Sequence, residues 1–352
     1  MRSLSPSQAR LLRAASQGIG DGRRATSAAA VLARCLAVQA QDLRAAALGI
    51  RARATGLTEA DVHAALGARD LVRGWFMRGT LHLVPARDAG WLRELLAPSL
   101  LRRSERRYRE LGLGPAELAR GERVIADALA DGPLTRDELA VLLKEAGLDV
   151  SGQVPFHLVR RSALLGAVCF GPLREDGAAT YVLVADWLPS AAGPSGEDAV
   201  RELLHRYLAA HGPATAADFA TWSGLGLPAT RAAWTHLLTS GSIEPCRVGD
   251  QPEHALPAGE PLTLEPTGDV RLLPAYDNYL VAYKNRHLSV PPEHERAVWP
   301  GGGQINPTIV VDGLVQGTWR QNHTPTPFHP LPQPALTTEL TDISHFLHPT
   351  GR

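Results

Sequence analysis

Two glutamines separated by a single alanine, Gln39-Ala40-Gln41, form a polar pair whose type and spacing could do chemistry. A glutamine carbonyl oxygen accepts a hydrogen bond from water and presents partial negative charge to a developing cation. Side chains two residues apart do not share a face of an α-helix, where neighbours are three or four apart. The pair can therefore act together only on an extended or turning backbone. Taken alone, two glutamines on an exposed turn are most simply solvated polar residues.

The elements around this pair predict such a backbone. Thr26-Ser27 opens a helix that runs through Leu36, and Asp42 can cap a further helix over residues 43–53. The glutamines then lie in the turn between two helices, as in a helix-turn-helix. Upstream, Ser5-Pro6 predicts the start of the first helix, with serine as the cap and proline at the first helical position.

One layout of elements recurs three times along the chain: three helices followed by a pair of strands. This layout is the winged-helix variant of the helix-turn-helix. Such units bind DNA in some proteins and only other proteins elsewhere, so the repeat alone leaves both interpretations open. The first stretch covers residues 5–96 and ends in two strands within 71–84. The second has helices at 118–130, 136–146 and 154–165 and strands at 167–170 and 180–184, and the third has helices at 198–210, 214–223 and 228–240 and a strand at 242–248.

The C-terminal part changes to a β pattern, which predicts a small barrel or a curled sheet. Strands are predicted at 270–274, 279–283, 308–311 and 314–319, and Asp312-Gly313 is a hairpin turn signal. Residues 325–331 can add an edge strand, and residues 337–347 predict a closing helix.

Composition restricts the class of protein. The 352 residues suggest two or three domains, and the sequence contains neither a run of 18 apolar residues nor an apolar signal core. Three dispersed cysteines favour neither a disulfide framework nor a zinc site, and a reducing cytoplasm is the simplest compartment. Formal net charge is zero, yet residues 1–54 hold nine arginines and two acidic residues, and five arginines cluster within 102–109. Such basic clusters can attract phosphate.

Four segments resemble the AlkZ-like family of bacterial winged-helix DNA glycosylases, in the family's order: QAQD at 39–42, MRGTLHLVP at 77–85, LPAYDNYL at 273–280 and VVDGLVQGTWR at 310–320. The resemblance implies an α+β fold of three tandem winged-helix units followed by a C-terminal β-barrel. We place the units at residues 1–100, 101–190 and 191–265 and the barrel with its closing helix at 266–352.

The resemblance also implies an activity: monofunctional hydrolysis of the N-glycosidic bond of N7-alkylated guanine. The family's catalytic motif corresponds to Gln39 and Gln41, and a second glutamine in place of aspartate matches the branch that acts on bulky antibiotic adducts or interstrand crosslinks for self-resistance. The alkylated base is already cationic, so positioning water and stabilising an oxocarbenium-like sugar would suffice. A bulky base cannot easily rotate into a tight pocket, so we expect an open basic channel. We expect a monomeric enzyme that acts on double-stranded DNA without a cofactor or metal.

Several further residues are candidates for DNA contact. Asp277 either braces the site or only caps a turn, and Arg78 and His82 are predicted on one face of a strand. His323 and Thr324 are predicted at the tip of a β-hairpin, which the family resemblance would place in the minor groove. The remaining candidates, all basic, are Arg44, Arg51, Arg53, Lys284, Arg286 and Arg320.

Two alternatives come from other classes of protein. A transcription regulator would use tandem winged helices to recognise sequence, usually as a symmetric dimer. A resistance protein could bind the adduct without cleaving it. Neither accounts for the paired glutamines, and abasic product from alkylated DNA would distinguish an enzyme from both.

Overall fold

Capping side chains start the first helices where the sequence predicts them. The structure, a computed structural model, describes residues 1–20, 24–190, 192–260, 264–320 and 324–349. The Ser5 hydroxyl accepts a hydrogen bond from Gln8 N, and the Gln8 side chain accepts one from Ser5 N, which completes a capping box. Ser27 and Asp42 cap the next two helices through their side-chain oxygens. The elements here are β1 (Arg2–Leu4), α1 (Pro6–Ser16), α2 (Ala28–Cys35), β2 (Val38–Gln39), α3 (Leu43–Arg51) and α4 (Glu59–Gly67).

The chain divides into two compact units, which are described separately. Unit 1 comprises residues 1–62 and 200–352, and unit 2 comprises residues 63–199. Unit 2 contains β3 (Leu71–Trp75), a 3₁₀ turn (Met77–Gly79), β4 (Leu81–Pro85), α5 (Ala86–Glu110), α6 (Pro115–Leu129), β5 (Leu134–Thr135), α7 (Arg136–Glu145), α8 (Val154–Leu164), β6 (Val168–Leu173), β7 (Ala179–Leu183) and α9 (Val184–Trp187).

Two antiparallel arrangements form the β-structure of unit 2. Strands β3 and β4 pair as a hairpin, and the second sheet has the order β5-β7-β6. The rings of Trp75 and Phe170 lie 5.2 Å apart, so aromatic packing joins β3 to β6. The 25-residue helix α5 was not predicted; it carries the arginine cluster of residues 102–109.

The N-terminal strand adds a parallel edge to a sheet in unit 1. Strand order is β1-β9-β10-β8, and only the β1–β9 pairing is parallel. Leu4, Leu12, Val248 and Leu256 pack as its core. The third stretch repeats the order of elements of the second, as the sequence predicted: α10 (Gly196–His211), β8 (Ala214–Thr215), α11 (Ala216–Ser223), α12 (Leu227–Thr239), β9 (Ile243–Val248) and β10 (Gln251–Pro257).

The C-terminal β-region is an open sheet, not the predicted barrel. Its antiparallel strand order is β11-β12-β13-β14, and over the described residues the outer strands are not paired with each other. The strand predicted at 279–283 is also wrong, because Asp277 caps a helical turn there. The elements are β11 (Val270–Leu273), α13 (Asn278–Val281), a 3₁₀ turn (Pro292–His294), α14 (Glu295–Val298), β12 (Thr308–Val311), β13 (Leu314–Trp319), β14 (Pro325–Pro327) and α15 (Gln333–Leu347).

A buried aromatic cluster lies within unit 1. The ring of His211 lies 4.9 Å from that of Tyr207 and 5.7 Å from that of Trp222, and the Arg13 guanidinium lies 3.8 Å above the ring of Tyr283. Burial lowers the pKa of His211 to about 3, with the charges of Arg53 and Arg13 adding to the effect. The imidazole is therefore neutral in the folded protein.

The cysteines agree with the expectation of free thiols: Cys35, Cys169 and Cys246 are all unpaired and buried. Over the described parts of the chain, the helices lack the combination of length and apolar character needed to span a membrane.

Candidate active site

The backbone that carries Gln39 and Gln41 leaves helix α2 through a tight turn. Leu36 has φ 64° and ψ −46°, and Ala37 N donates to Cys35 O at 2.7 Å, which closes a three-residue γ-turn. This conformation is costly for a residue with a side chain, and the burial of Leu36 in the core helps to hold it.

After this turn the chain is extended at β2 and then enters α3 at its cap, Asp42. The prediction that both glutamines lie on non-helical backbone between two helices is confirmed. Gln39 is half-buried, Ala40 is buried and Gln41 is exposed, so the motif lies at the boundary of the core and solvent.

A second polar segment, Asp277-Asn278, packs against the motif from the start of α13. The Asn278 side chain donates to Ala37 O, and its Oδ1 accepts from Gln39 N at 3.3 Å. Asn278 is 1% exposed; its bond to Ala37 O is buried, and its bond from Gln39 N is partly buried. The sequence suggested a polar turn here but gave no sign that Asn278 would contact the glutamine motif.

Asp277 fixes this segment through a two-pronged ion pair with Arg53. Arg53 Nη2 lies 2.6 Å from Asp277 Oδ1 and Nη1 lies 2.8 Å from Oδ2. The guanidinium also donates to Gly49 O and to Gln17 Oε1, at 2.8 and 2.9 Å. Asp277 Oδ1 accepts from Tyr279 N as well, at 2.8 Å. Asp277 therefore both caps the turn and, through Arg53, anchors the segment that carries Asn278.

This geometry corrects two predicted DNA contacts. The side chains of Arg53 and Asp277 are 1% and 0% exposed, so neither reaches a phosphate. Burial alone would lower the pKa of Arg53, but the charge and hydrogen bonds of Asp277 outweigh it and raise that pKa. Burial raises the pKa of the neighbouring Cys35 thiol, which keeps that thiol protonated.

Arg51 is also a structural residue and not a phosphate ligand. Its side chain is 2% exposed and donates to Glu339 Oε1 and Asp342 Oδ2, each at 2.7 Å, and to Leu272 O at 3.0 Å. Glu339 also accepts from Leu272 N at 2.8 Å and lies 3.4 Å from Arg271 Nη1. Helix α15 is thereby fastened to α3 and β11 inside unit 1.

Arg44, Arg320 and Thr324 lie where a partner could reach them. The Arg44 side chain is 60% exposed and lies 3.9 Å from Glu59, a loose ion pair of little energetic value. Arg320 and Thr324 are exposed in the connection between β13 and β14, where Arg320 N donates to Thr324 O at 3.1 Å. The hairpin predicted here is therefore present; His323 lies outside the described residues.

Lys284 and Arg286 line an open cavity of about 640 Å³ in unit 1. Lys284 is exposed, whereas Arg286 is half-buried, donates to Leu280 O at 3.0 Å and lies 4.7 Å above the ring of Trp299. Burial lowers the pKa of Arg286, and Glu295 partly opposes this. Lys284 is thus the more accessible cation of the two.

The two candidates in unit 2 do not share a strand face. Arg78 lies in the 3₁₀ turn with φ 59°, and His82 lies in β4. His82 is 1% exposed, and its Nδ1 lies 3.0 Å from Thr80 O. Burial, followed by the charge of Arg78, lowers the pKa of His82 to about 3. His82 is therefore a neutral core residue, and its predicted DNA contact is wrong.

This arrangement offers neutral amide chemistry on a fixed backbone. Within the described residues, groups of three or more histidine, cysteine or acidic side chains placed to hold a metal ion are not found. In the motif, the side-chain amides of Gln39 and Gln41 lie at the boundary between the core and solvent. The start of helix α3 follows directly after them. Amides can orient water and stabilise positive charge.

Comparison with known proteins identifies the family of the chain. Residues 32–341 match the family model described as DNA glycosylase AlkZ-like. The chain therefore belongs to the AlkZ-like DNA glycosylase family, and it is a DNA glycosylase. A curated relative, the interstrand DNA cross-link repair glycosylase of Streptomyces sahachiroi, is 29% identical over 344 residues, with 92% of each chain covered. The solved structure of Streptomyces sahachiroi DNA glycosylase AlkZ has a TM-score of 0.83 and 26% identity, and covers 98% of this chain and 97% of its own.

Proposed function

We propose that Gln39 and Gln41 are the catalytic residues of this glycosylase and that its substrate is N7-alkylated guanine in double-stranded DNA. The observation that carries the proposal is the motif's position on a strained, core-anchored backbone between α2 and α3. An N7-alkylated base leaves as a neutral group, so hydrolysis requires only a positioned water and stabilisation of the sugar cation. An amide oxygen supplies both, and Gln41 is exposed where substrate and water can reach it.

The lesions we propose are bulky adducts or interstrand crosslinks made by an antibiotic that the host produces. The curated relative bears the name of a cross-link repair enzyme, and the Gln-x-Gln form of the motif resembles the self-resistance branch of the family. The exposed position of Gln41 suits a base too large to enter a closed pocket.

Duplex binding is proposed to involve three winged-helix units acting in a monomer. The repeated order of helices and hairpins supports this proposal. Cations and polar groups that remain candidates for backbone or groove contact are Arg44, Arg78, Lys284, Arg286, Arg320 and Thr324. We further propose that the β13–β14 hairpin enters the minor groove.

The test is a glycosylase assay on duplexes that carry a single N7-alkylguanine, with abasic sites revealed by alkaline cleavage. We expect Gln39→Ala and Gln41→Ala each to lower the single-turnover rate by about 100-fold, as expected when a group that stabilises transition-state charge is lost. Gln304→Ala, which alters an exposed glutamine in a turn, serves as the matched control. Wild-type rates for both motif variants would contradict the proposal, and DNA binding without abasic product would favour a regulator or adduct-binding protein.

A further inference from the structure

The Asn278 carboxamide makes the two hydrogen bonds to the catalytic motif that the backbone of a neighbouring strand would make. Its Nδ2 donates to Ala37 O and its Oδ1 accepts from Gln39 N. These two groups flank Val38, and they are the carbonyl and the amide that one residue of a parallel neighbouring strand would engage. The side chain thus replaces a segment of strand along β2.

Asn278 is itself held firmly at the start of α13. Asp277, the residue before it, is fixed by the ion pair with Arg53, and Tyr276 adopts the left-handed conformation with φ 58° that turns the chain into the cap. The Cβ of an alanine at Gly49 would lie 3.1 Å from Asp277 Oδ2, so α3 approaches this segment closely. Arg53 and Asp277, which hold Asn278 in place, are both core residues.

From this geometry we propose that Asn278 is a positioning residue for the glycosylase reaction, acting through the backbone of Gln39. The inference rests on the proposed catalytic role of the glutamines. Without the carboxamide, Ala37 O loses its side-chain partner in the core and Gln39 N loses one at the edge of the core, so two bonds that hold the extended backbone in place are removed. A displacement of about 1 Å in a reacting group can cost roughly 100-fold in rate.

The experiment measures single-turnover rates on an N7-alkylguanine duplex for Asn278→Ala, for Asn278→Ser and for both combined with Gln39→Ala. We expect Asn278→Ala to lower the rate by about 100-fold with the Kd for undamaged duplex unchanged, because only the motif moves. Asn278→Ser retains one hydroxyl and should fall between wild type and Asn278→Ala. Assays are run well below each variant's melting temperature, and the serine variant carries the test if the alanine variant does not fold.

The double variant separates positioning from general damage to the fold. If Asn278 acts through Gln39, Asn278→Ala should slow the Gln39→Ala enzyme by less than about 3-fold, because coupled residues are not additive. Asn306→Ala, which removes another side-chain bond to a backbone carbonyl at 2.8 Å, should keep the wild-type rate.

Two results would overturn the inference in distinguishable ways. A wild-type rate for Asn278→Ala, or losses that multiply in the double variant, would refute positioning while leaving slow glutamine variants as support for the catalytic assignment. Wild-type rates for Gln39→Ala and Gln41→Ala would refute the catalytic assignment and, with it, the role given to Asn278.

Discussion

The ion pair between Arg53 and Asp277 can be tested by removing a single charge with Asp277→Asn. Asparagine has nearly the same shape and can still accept from Arg53 Nη2 and Tyr279 N through one oxygen. Its amide nitrogen would replace the oxygen now 2.8 Å from Arg53 Nη1, so two donors would face each other. The guanidinium would keep its neutral acceptors on Gly49 and Gln17 but would lose its only carboxylate among the contacts described above.

The expected cost is about 3 kcal/mol in the free energy of unfolding, near the lower end of the range for a buried charge that loses its partner. Urea denaturation at pH 7.5, followed by tryptophan fluorescence, measures this cost. Replacing both residues, with Arg53→Met and Asp277→Leu, should cost less than the single change, because no buried charge is left without a partner.

A contrasting result would show that the pair is not structural. If Arg53 were a phosphate ligand, Asp277→Asn would leave the unfolding free energy unchanged. Arg53→Gln would then lower the slope of log binding constant against log salt by about 1 without loss of stability. Either outcome would refute the burial argument.

Three further perturbations test other parts of the molecule. Glu339→Gln should lower the free energy of unfolding in urea by about 2 kcal/mol at neutral pH, because an amide group would face Arg271. The difference in stability between wild type and variant should shrink as pH falls. Glu339 has a lowered folded pKa, so its stabilising charge is lost only in acid. His211→Phe should remove one of two acid sensitivities, because His211 and His82 both have a folded pKa of about 3. Each costs about 2 kcal/mol at pH 5 relative to pH 7.5 as pH falls below the unfolded value of about 6.5, so the variant should lose about 2 kcal/mol less than the wild type. Unfolding curves at these two pH values for wild type and variant check this. Arg44→Gln and Arg320→Gln should each lower the salt slope of duplex binding by about 1 with unchanged unfolding, and an unchanged slope would argue against phosphate contact.

Local signals predicted the helix starts well. Ser5, Ser27 and Asp42 cap helices because their side-chain oxygens satisfy amides only three residues away. The same locality explains why the position of the glutamines between two helices could be predicted. The strand expected at 279–283 failed because an aromatic and β-branched run outweighed the capping signal of Asp277.

The environment of the arginines could not be predicted because their partners are remote in sequence. Arg53 pairs with a residue 224 positions away and Arg51 with one 288 positions away. A cluster of arginines on a short helix has the same composition whether it faces phosphate or carboxylates in the core. Of Arg44, Arg51 and Arg53, which follow the glutamine motif, only Arg44, on the first turn of α3, has the exposure expected of a DNA contact.

The buried ion pair of Arg53 and Asp277 lies beside the segment that contacts the glutamine motif, and this position suggests its role. A neutral amide is a weak catalyst, so its contribution depends on being held where charge develops and not on its pKa. Both flanks of the motif are fixed by the core: α2 ends in the γ-turn at Leu36, and α3 ends near Arg53, which fixes Asp277 and hence Asn278. Arg53 is therefore placed in the core, where it rigidifies the loop of Gln39 and Gln41, whose own residues are polar and partly exposed. If the glutamines are catalytic as proposed, a weak catalytic group on a rigid support suits the proposed substrate, whose leaving base already carries positive charge.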